Sequence, residues 1–234
     1  LVAGPRFAIY FVPAAETALY RFGAAVLGYD CYSGEDVAHP SDLGISETEW
    51  IELAQEPRSY GFHATLNAPF RLRPELDQAG LVEHVRTFAA SRAPIAIEPA
   101  VGLLAGFVAI VPRVESPALD RLAADCVTAF DRFRLPMTAP ERSRRLASGL
   151  SGRQIANLDR FGYPYVFEDF RFHMTLTGAI VPERRPAIHA LLQAAFARRR
   201  GYGAVPIDRL ALVRQDDPAA RFRVIEHVRL GPPA

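Results

Sequence analysis

Apolar and polar positions along this chain alternate with two different periods, and the switches between them mark its elements. In "RFAIYFVP", residues 6–13, aromatic and β-branched residues run up to Pro13 and predict a strand. The next stretch, "AAETALYRFGAAVLG", places Ala15, Leu19, Phe22, Gly23 and Val26 on one helical face and stops at Gly28. Residues 29–57 read as loops around one short helix, where Ser46 and Glu49 have capping-box spacing ahead of Trp50 and Ile51. A helix over 74–90 gathers Leu81, Val82, Val85, Phe88 and Ala89 on one face. Two β-rich runs follow, 95–100 and 107–112, separated by glycines that suit a hairpin.

The clearest helix begins at "SPALDRLAADCVTAFDRF". Ser116 caps it, Pro117 sits in its first turn, and Leu119, Leu122, Ala123, Cys126, Val127 and Phe130 form the apolar stripe. Another stripe joins Ile188, Leu191, Leu192, Ala195 and Phe196, and Arg198–Arg200 close that helix where a helix dipole favours cations. The chain then predicts two strands, 205–215 and 221–230, joined by the turn-prone "DDPAA".

One phrase occurs twice. His63-Ala64-Thr65-Leu66 and His173-Met174-Thr175-Leu176 share His-x-Thr-Leu, and what surrounds them matches as well. Ile95 lies 32 residues after His63, and Val205 lies 32 residues after His173. In between, Pro74-Glu75 and Pro182-Glu183 each open an amphipathic helix. The pattern predicts an internal duplication. The fold expected is α+β: one domain of two pseudo-symmetric lobes, about 6–112 and 116–230, with mainly antiparallel sheets, outer helices and a pseudo-twofold groove. Strand alternation then orients the phrases. Phe62, Ala64 and Leu66 oppose His63, Thr65 and Asn67; Phe172, Met174 and Leu176 oppose Arg171, His173, Thr175 and Thr177. The polar faces are expected to line the groove, with the imidazoles across it from each other.

Composition narrows the chemistry. Half the residues are apolar and the formal net charge is +1, so no strong overall field points to nucleic acid or a membrane. All 27 Lys and Arg residues are arginine, which leaves only guanidinium forks to bind an oxyanion. Cys31 and Cys126 have no metal or disulfide spacing, which favours a reducing, cytoplasmic setting, and no apolar run is long enough to span a bilayer.

The paired His-x-Thr phrases in a duplicated α+β chain resemble the two-histidine phosphoesterase superfamily. That group includes cyclic nucleotide phosphodiesterases and RNA 2′,3′-cyclic phosphate ligase-like enzymes. The flanking "RSYGFHATL" and "FGYPYVFEDFRFHMTLTG" look more narrowly like its bacterial branch found among phosphonate-metabolism genes. The resemblance implies a cyclic phosphodiesterase/RNA ligase-like fold, catalytic histidines at His63 and His173, and phosphate-binding hydroxyls at Thr65 and Thr175.

The residue types suit such chemistry independently. Opening a phosphodiester in line needs a base on water and an acid on the leaving oxygen, and His can be either near neutral pH. Tyr10 shares a strand face with Ala8 and Val12 and is a candidate for the groove. Arg171, in phase with His173, is a candidate phosphate ligand or a solvated strand-end charge. The run "ERSRRL" is read either as a solvated face or as part of a flap over 136–169, bringing Arg142–Arg145 and Tyr165 to an anionic ligand. His39 falls in a loop, His84 and His189 on polar helix sides, and His227 on a polar strand face.

The expected activity is metal-independent hydrolysis of a small cyclic or linear phosphoester, without cofactor, in phosphonate metabolism. The expected partner is that small phosphate ester; an RNA end is admissible and a membrane is not expected. The alternatives are a non-catalytic nucleotide- or RNA-end-binding module, and a histidine-bridged metal site, for which the sequence offers no further ligand pair.

Overall fold

Seven strands form one antiparallel sheet whose two central neighbours carry the repeated phrase. The computed structural model describes residues 4–198 and 203–231, so Arg199 and Arg200 lie outside the described residues. In chain order the strands are β1 (Arg6–Phe11), β2 (Ala64–Arg71), β3 (Ile95–Ile97), β4 (Pro99–Leu104), β5 (Phe107–Pro112), β6 (Met174–Thr175), β7 (Val205–Ile207), β8 (Arg209–Gln215) and β9 (Arg223–Arg229). The large sheet runs β4-β5-β6-β2-β1-β8-β9, and β3 pairs with β7 in a separate ribbon. At the centre Ala64 faces Met174, the residue after each histidine. Outward from that pair, β1 flanks β2 and β5 flanks β6, and then β8 and β4 follow in turn. The ribbon repeats the balance, with Ala96 opposite Pro206. The fold is α+β, with a mainly antiparallel sheet and packed helices.

The helices are α1 (Ala18–Leu27), α2 (Glu47–Ala54), α3 (Gln78–Ala90), α4 (Pro117–Phe130), α5 (Ala139–Leu146), α6 (Gly152–Phe161) and α7 (Arg185–Arg198). Their starts follow local chemistry. Thr17, Ser46, Asp77, Ser116, Thr138 and Ser151 each accept a hydrogen bond from a first-turn amide, a contact worth about 1 kcal/mol. Thr17 starts α1 later than the apolar face suggests, and Ala15 stays outside the helix. Ile51, grouped with Trp50 in the sequence, is exposed while Trp50 is buried.

Two expectations change. The run 95–100 is not one strand: Ile95–Ile97 leaves for the ribbon, and the hairpin is β4–β5 with its turn at Ala105-Gly106. The run 205–215 is split in the same way, with Val205–Ile207 in the ribbon and Arg209–Gln215 in the large sheet; the arginine run 142–145 lies in helix α5, which Thr138 and Glu141 open with a capping box. No helix among the described residues is long and apolar enough to cross a membrane, and Cys31 and Cys126 are both buried thiols.

The core lies between the sheet and its helices. α4 packs on β2, α7 on β4 and β5, and α3 on β8 and β9. Phe62, Ala64, Leu66, Phe172, Met174 and Leu176 are all buried there, which turns the alternate residues of both phrases outward. Gly23 of α1 lets the helix lie against the flat of the Phe62 ring, since a Cβ there would run into that side chain. Phe62 is fully buried and sits one residue before His63, so this contact seats the first phrase.

Gly23→Ala therefore sets an overpacking cost of about 1–3 kcal/mol against a helix-propensity gain of about 1 kcal/mol. The packing cost is expected to win, because the buried ring has no open side to move into. Urea unfolding should show a lower midpoint for the variant, and an equal or higher midpoint would mean that the ring shifts freely.

Candidate active site

Both histidines are held by the same local device. The Nδ1 of His63 lies 2.8 Å from the carbonyl of Gly61, and the Nδ1 of His173 lies 2.7 Å from the carbonyl of Arg171. A carbonyl can only accept, so each Nδ1 carries the proton and each Nε2 is left with its lone pair free to accept one. Gly61 presents its carbonyl from a left-handed backbone (φ +74°), where a Cβ would also meet Cys31 at 2.6 Å. Glycine is required there on both counts.

The Nε2 of His63 receives a hydrogen bond from the Thr65 hydroxyl at 3.1 Å, and the Tyr10 ring stacks on the imidazole with centroids 3.7 Å apart. Phe107, from β5 beside β6, has its ring 5.6 Å from that of His173 and tilted to it, while the register partner of Thr175 on that strand is Ala109. His63, Thr65, Thr175 and Tyr10 line one groove of about 370 Å³. His173 opens on an adjoining recess of about 430 Å³, and the two cavities share Thr65, Ala68, Phe107 and Tyr163. The recess is walled mainly by apolar side chains, among them Leu104, Val127, Val166 and Phe170.

Burial sets the charge state. It pushes the His63 imidazole down to about 4, against the opposing pull of the Gly61 carbonyl and with added repulsion from His173. Burial also lowers His173, opposed by the Arg171 carbonyl. Tyr10 is raised well above the usual phenol range, chiefly by burial, and Tyr163 is pushed up to about 12 for the same reason. Both phenols therefore remain donors at neutral pH.

The other candidates fall in different places. Arg171 is exposed, and its guanidinium donates to the carbonyls of Glu168 and Phe170; it borders the recess rather than the groove. Tyr165 also borders the recess and packs edge-on against Tyr163, 5.6 Å away, while Tyr163 reaches the groove. Arg142 is bound to Asp159 through two contacts of 2.6 and 2.9 Å, which ties α5 to α6. Arg71–Glu141 and Arg153–Asp169 tie the same pair of helices to the rest of the molecule. Of the run 142–145, Arg145 lines the groove.

His39 stacks on Trp50, His84 packs among Phe130 and Phe133, His189 meets the Val101 carbonyl, and His227 meets Arg209. No three His, Cys, Asp or Glu side chains converge on a metal-sized site among the described residues.

Arg6, Tyr60, Phe107 and Tyr163 complete the groove and were not singled out by sequence reasoning. Arg6 could have been: it has the same strand parity as Tyr10. Tyr163 and Tyr165 flank Pro164, and alternation does not decide which of the two turns inward.

Residues 65–223 match the family described as "Protein of unknown function (DUF1045)". The chain belongs to this family. Two curated relatives of this DUF1045 chain are named ribose 1,5-bisphosphate phosphokinase PhnN. The one from Janthinobacterium sp. (strain Marseille) is 37% identical over 221 residues, covering 93% of this chain and 49% of the relative. The one from Laribacter hongkongensis (strain HLHK9) is 33% identical over 225 residues, covering 96% and 52%. The chain thus spans about half the length of the curated relatives it matches. Among solved structures it is similar to one described as a phosphoesterase, at 14% identity and TM-score 0.43, covering 97% of this chain and 99% of that one. It is also similar to E. coli LigT complexed with 3′-AMP, at 14% identity and TM-score 0.41, covering 96% and 97%.

The His63 environment links protonation to stability. An unfolded chain takes up a proton on this residue near 6.5, and the folded chain takes it up only near 4. Between those values the unfolded state binds more protons, so this contribution is complete above about pH 6.5 and is lost as pH falls toward 4. The urea midpoint should decline across that window, and His63→Asn should decline less steeply. Parallel declines would show that the His63 imidazole titrates normally in the folded protein.

Proposed function

We propose that this DUF1045 chain is a phosphodiesterase that opens a small cyclic or linear phosphoester by two-histidine acid–base catalysis. The observation that carries the reading is the matched anchoring of His63 and His173, each through Nδ1 to the carbonyl two residues earlier, on the neighbouring central strands. Such anchoring holds both imidazoles in the tautomer that works through Nε2.

His63 has the more strongly depressed imidazole and suits the base; His173 then suits the acid. Nε2 of His63 takes a proton from water as the water oxygen bonds to phosphorus. The P–O bond on the opposite side breaks, and His173 gives its Nε2 proton to the leaving oxygen. The hydroxyls of Thr65 and Thr175 line the groove as donors for non-bridging oxygens, whose charge is redistributed in the transition state. No step draws on a metal, so turnover is expected to persist in chelator.

The name of the longer relatives supports a phosphorylated ribose as the substrate class, a ribosyl or nucleotide cyclic phosphate acted on in phosphonate metabolism. This chain has no lysine, so it carries no phosphate-binding loop of the G-x-x-x-x-G-K type. We therefore do not extend the phosphokinase activity in those relatives' names to this chain.

The histidines are tested first. His63→Ala and His173→Ala leave the core untouched and should fold, as circular dichroism would show. Each should lower kcat on a cyclic ribosyl or nucleoside phosphate by about 10²–10⁴-fold. The double variant should lose far less than the product of the single losses, because the two act in one proton-transfer cycle. Full activity in either folded single variant would overturn the mechanism.

The pH profile is tested second. With a base near 4 and an acid below 6.5, kcat/KM should be bell-shaped with its optimum on the acidic side of neutrality. The basic limb of kcat should lie at higher pH than that of kcat/KM, because a bound anion favours the imidazolium of His173. A flat profile between about pH 4 and pH 8, a span that covers ordinary histidine titration, would remove the acid–base pair.

A further inference from the structure

One end of the groove holds more positive charge than a single phosphodiester can neutralise. Arg6, at the start of β1, and Arg145, in the last turn of α5, both line it. Nearby arginines are spoken for: Arg71 pairs with Glu141, Arg134 with Asp131 and Arg142 with Asp159. Neither Arg6 nor Arg145 has a carboxylate partner among the described residues. Among the described residues Arg6 spends only its Nε, donating to Gln215 at 2.7 Å, with its guanidinium 5.3 Å over the Phe222 ring. Its two terminal nitrogens remain available. The Arg145 guanidinium lies 5.9 Å over the Tyr163 ring.

Three phenols share this space. Tyr10, Tyr60 and Tyr163 all line the groove, and none of their hydroxyls has a hydrogen-bond partner among the described residues. Tyr10 is 1% exposed, and the groove is the space that it lines. Tyr60 and Tyr163 both act on the ionisation of Tyr10, as does Arg6, which places these groups within electrostatic reach of one another. The carboxylate that borders the groove, Glu56, is exposed and packs beside Gly178. Arg6 and Arg145, by contrast, also border a second cavity together with Pro69, one that Glu56 does not line.

We infer that Arg6 and Arg145, with the hydroxyls of Tyr10, Tyr60 and Tyr163, form a second oxyanion subsite that binds a phosphate monoester on the substrate molecule itself. The inference rests on the phosphodiesterase reading for what lies at His63, but not for the subsite's own chemistry. Two guanidinium groups match the charge of a phosphate dianion, and their forked donors, with the phenols, match its several oxygens. A carboxylate would leave one guanidinium unneutralised. The substrate class becomes a ribosyl cyclic phosphodiester that carries a terminal phosphate. Such a subsite anchors the molecule at a part that does not react, which positions the diester against the histidines.

The test uses 2′,3′-cyclic AMP and the same compound with an added 5′-phosphate. In the wild-type protein the 5′-phosphate should raise kcat/KM by about 10–100-fold, the span of one or two charge-assisted hydrogen bonds. Arg6→Gln and Arg145→Gln should each pull that ratio toward one, mainly through KM, and Arg145→Lys should restore part of it. Arg121→Gln removes an exposed arginine from α4 and should leave the ratio unchanged. A wild-type ratio near one would overturn the subsite, as would arginine variants that lower both substrates equally.

Calorimetry with ribose 5-phosphate separates this inference from the catalytic reading. Wild type and His63→Ala should bind it, and the two glutamine variants should bind it at least tenfold more weakly. If neither cyclic compound is turned over while this binding pattern holds, the phosphodiesterase reading fails and the subsite stands. If ribose 5-phosphate does not bind the wild type, or binds all variants equally, the subsite is wrong whatever the activity.

Discussion

The pairing of β2 with β6 is the constraint on which the rest of the site depends. It is short, since β6 is two residues long and Ala64 opposite Met174 is its central register. Yet it makes neighbours of two segments more than a hundred residues apart in the chain. Once Ala64 and Met174 are buried opposite one another, strand alternation turns His63, Thr65, His173 and Thr175 to the other side. A slip by one residue in either strand would bury the imidazole and expose the apolar partner, so the core enforces the register. So short a pairing is held by what flanks it: α4 on β2, β1 on one side and β5 on the other.

Around that pairing, the two halves of the groove are built alike but finished differently. Each imidazole is fixed by a backbone carbonyl two residues earlier, and each has an aromatic ring beside it. On the His63 side the ring is Tyr10, buried and stacked, and the space beyond it holds guanidinium groups and phenols. On the His173 side the ring is Phe107, and the space beyond is apolar. A symmetric framework with unequal ends suits an asymmetric substrate. It also separates the two titrations: burial depresses the His63 imidazole to about 4 and lowers that of His173 as well, a difference that the proposed mechanism uses to tell base from acid.

Helices α5 and α6 do more than cover the sheet. Their capping boxes make a largely polar segment helical without a buried stripe of its own, and ion pairs through Arg71, Arg142 and Arg153 fasten it down. Each such pair on a solvated surface contributes little, about 0–1 kcal/mol. Several together hold one orientation, and that orientation delivers Arg145 and Tyr163 to the groove. The segment that looks least like core in the sequence thus supplies one wall of the site.

What the sequence determined by itself is what local rules control. Helix starts followed from side-chain caps at Ser46 and Ser116, and the inward and outward faces of both His-x-Thr strands followed from alternation, because each depends on residues within a few positions. The split of 95–100 between two sheets did not, because Ile95–Ile97 has its partner in Val205–Ile207 and nothing local distinguishes that ribbon from a hairpin strand. Nor did the choice of Tyr163 over Tyr165, or the meeting of Arg6 with Arg145. Those depend on which distant surface lies opposite, and on the desolvation that follows from it. The residue types able to move a proton or hold an oxyanion were legible one by one; only the folded chain brings them within reach of a single ligand and lowers the histidines' affinity for protons.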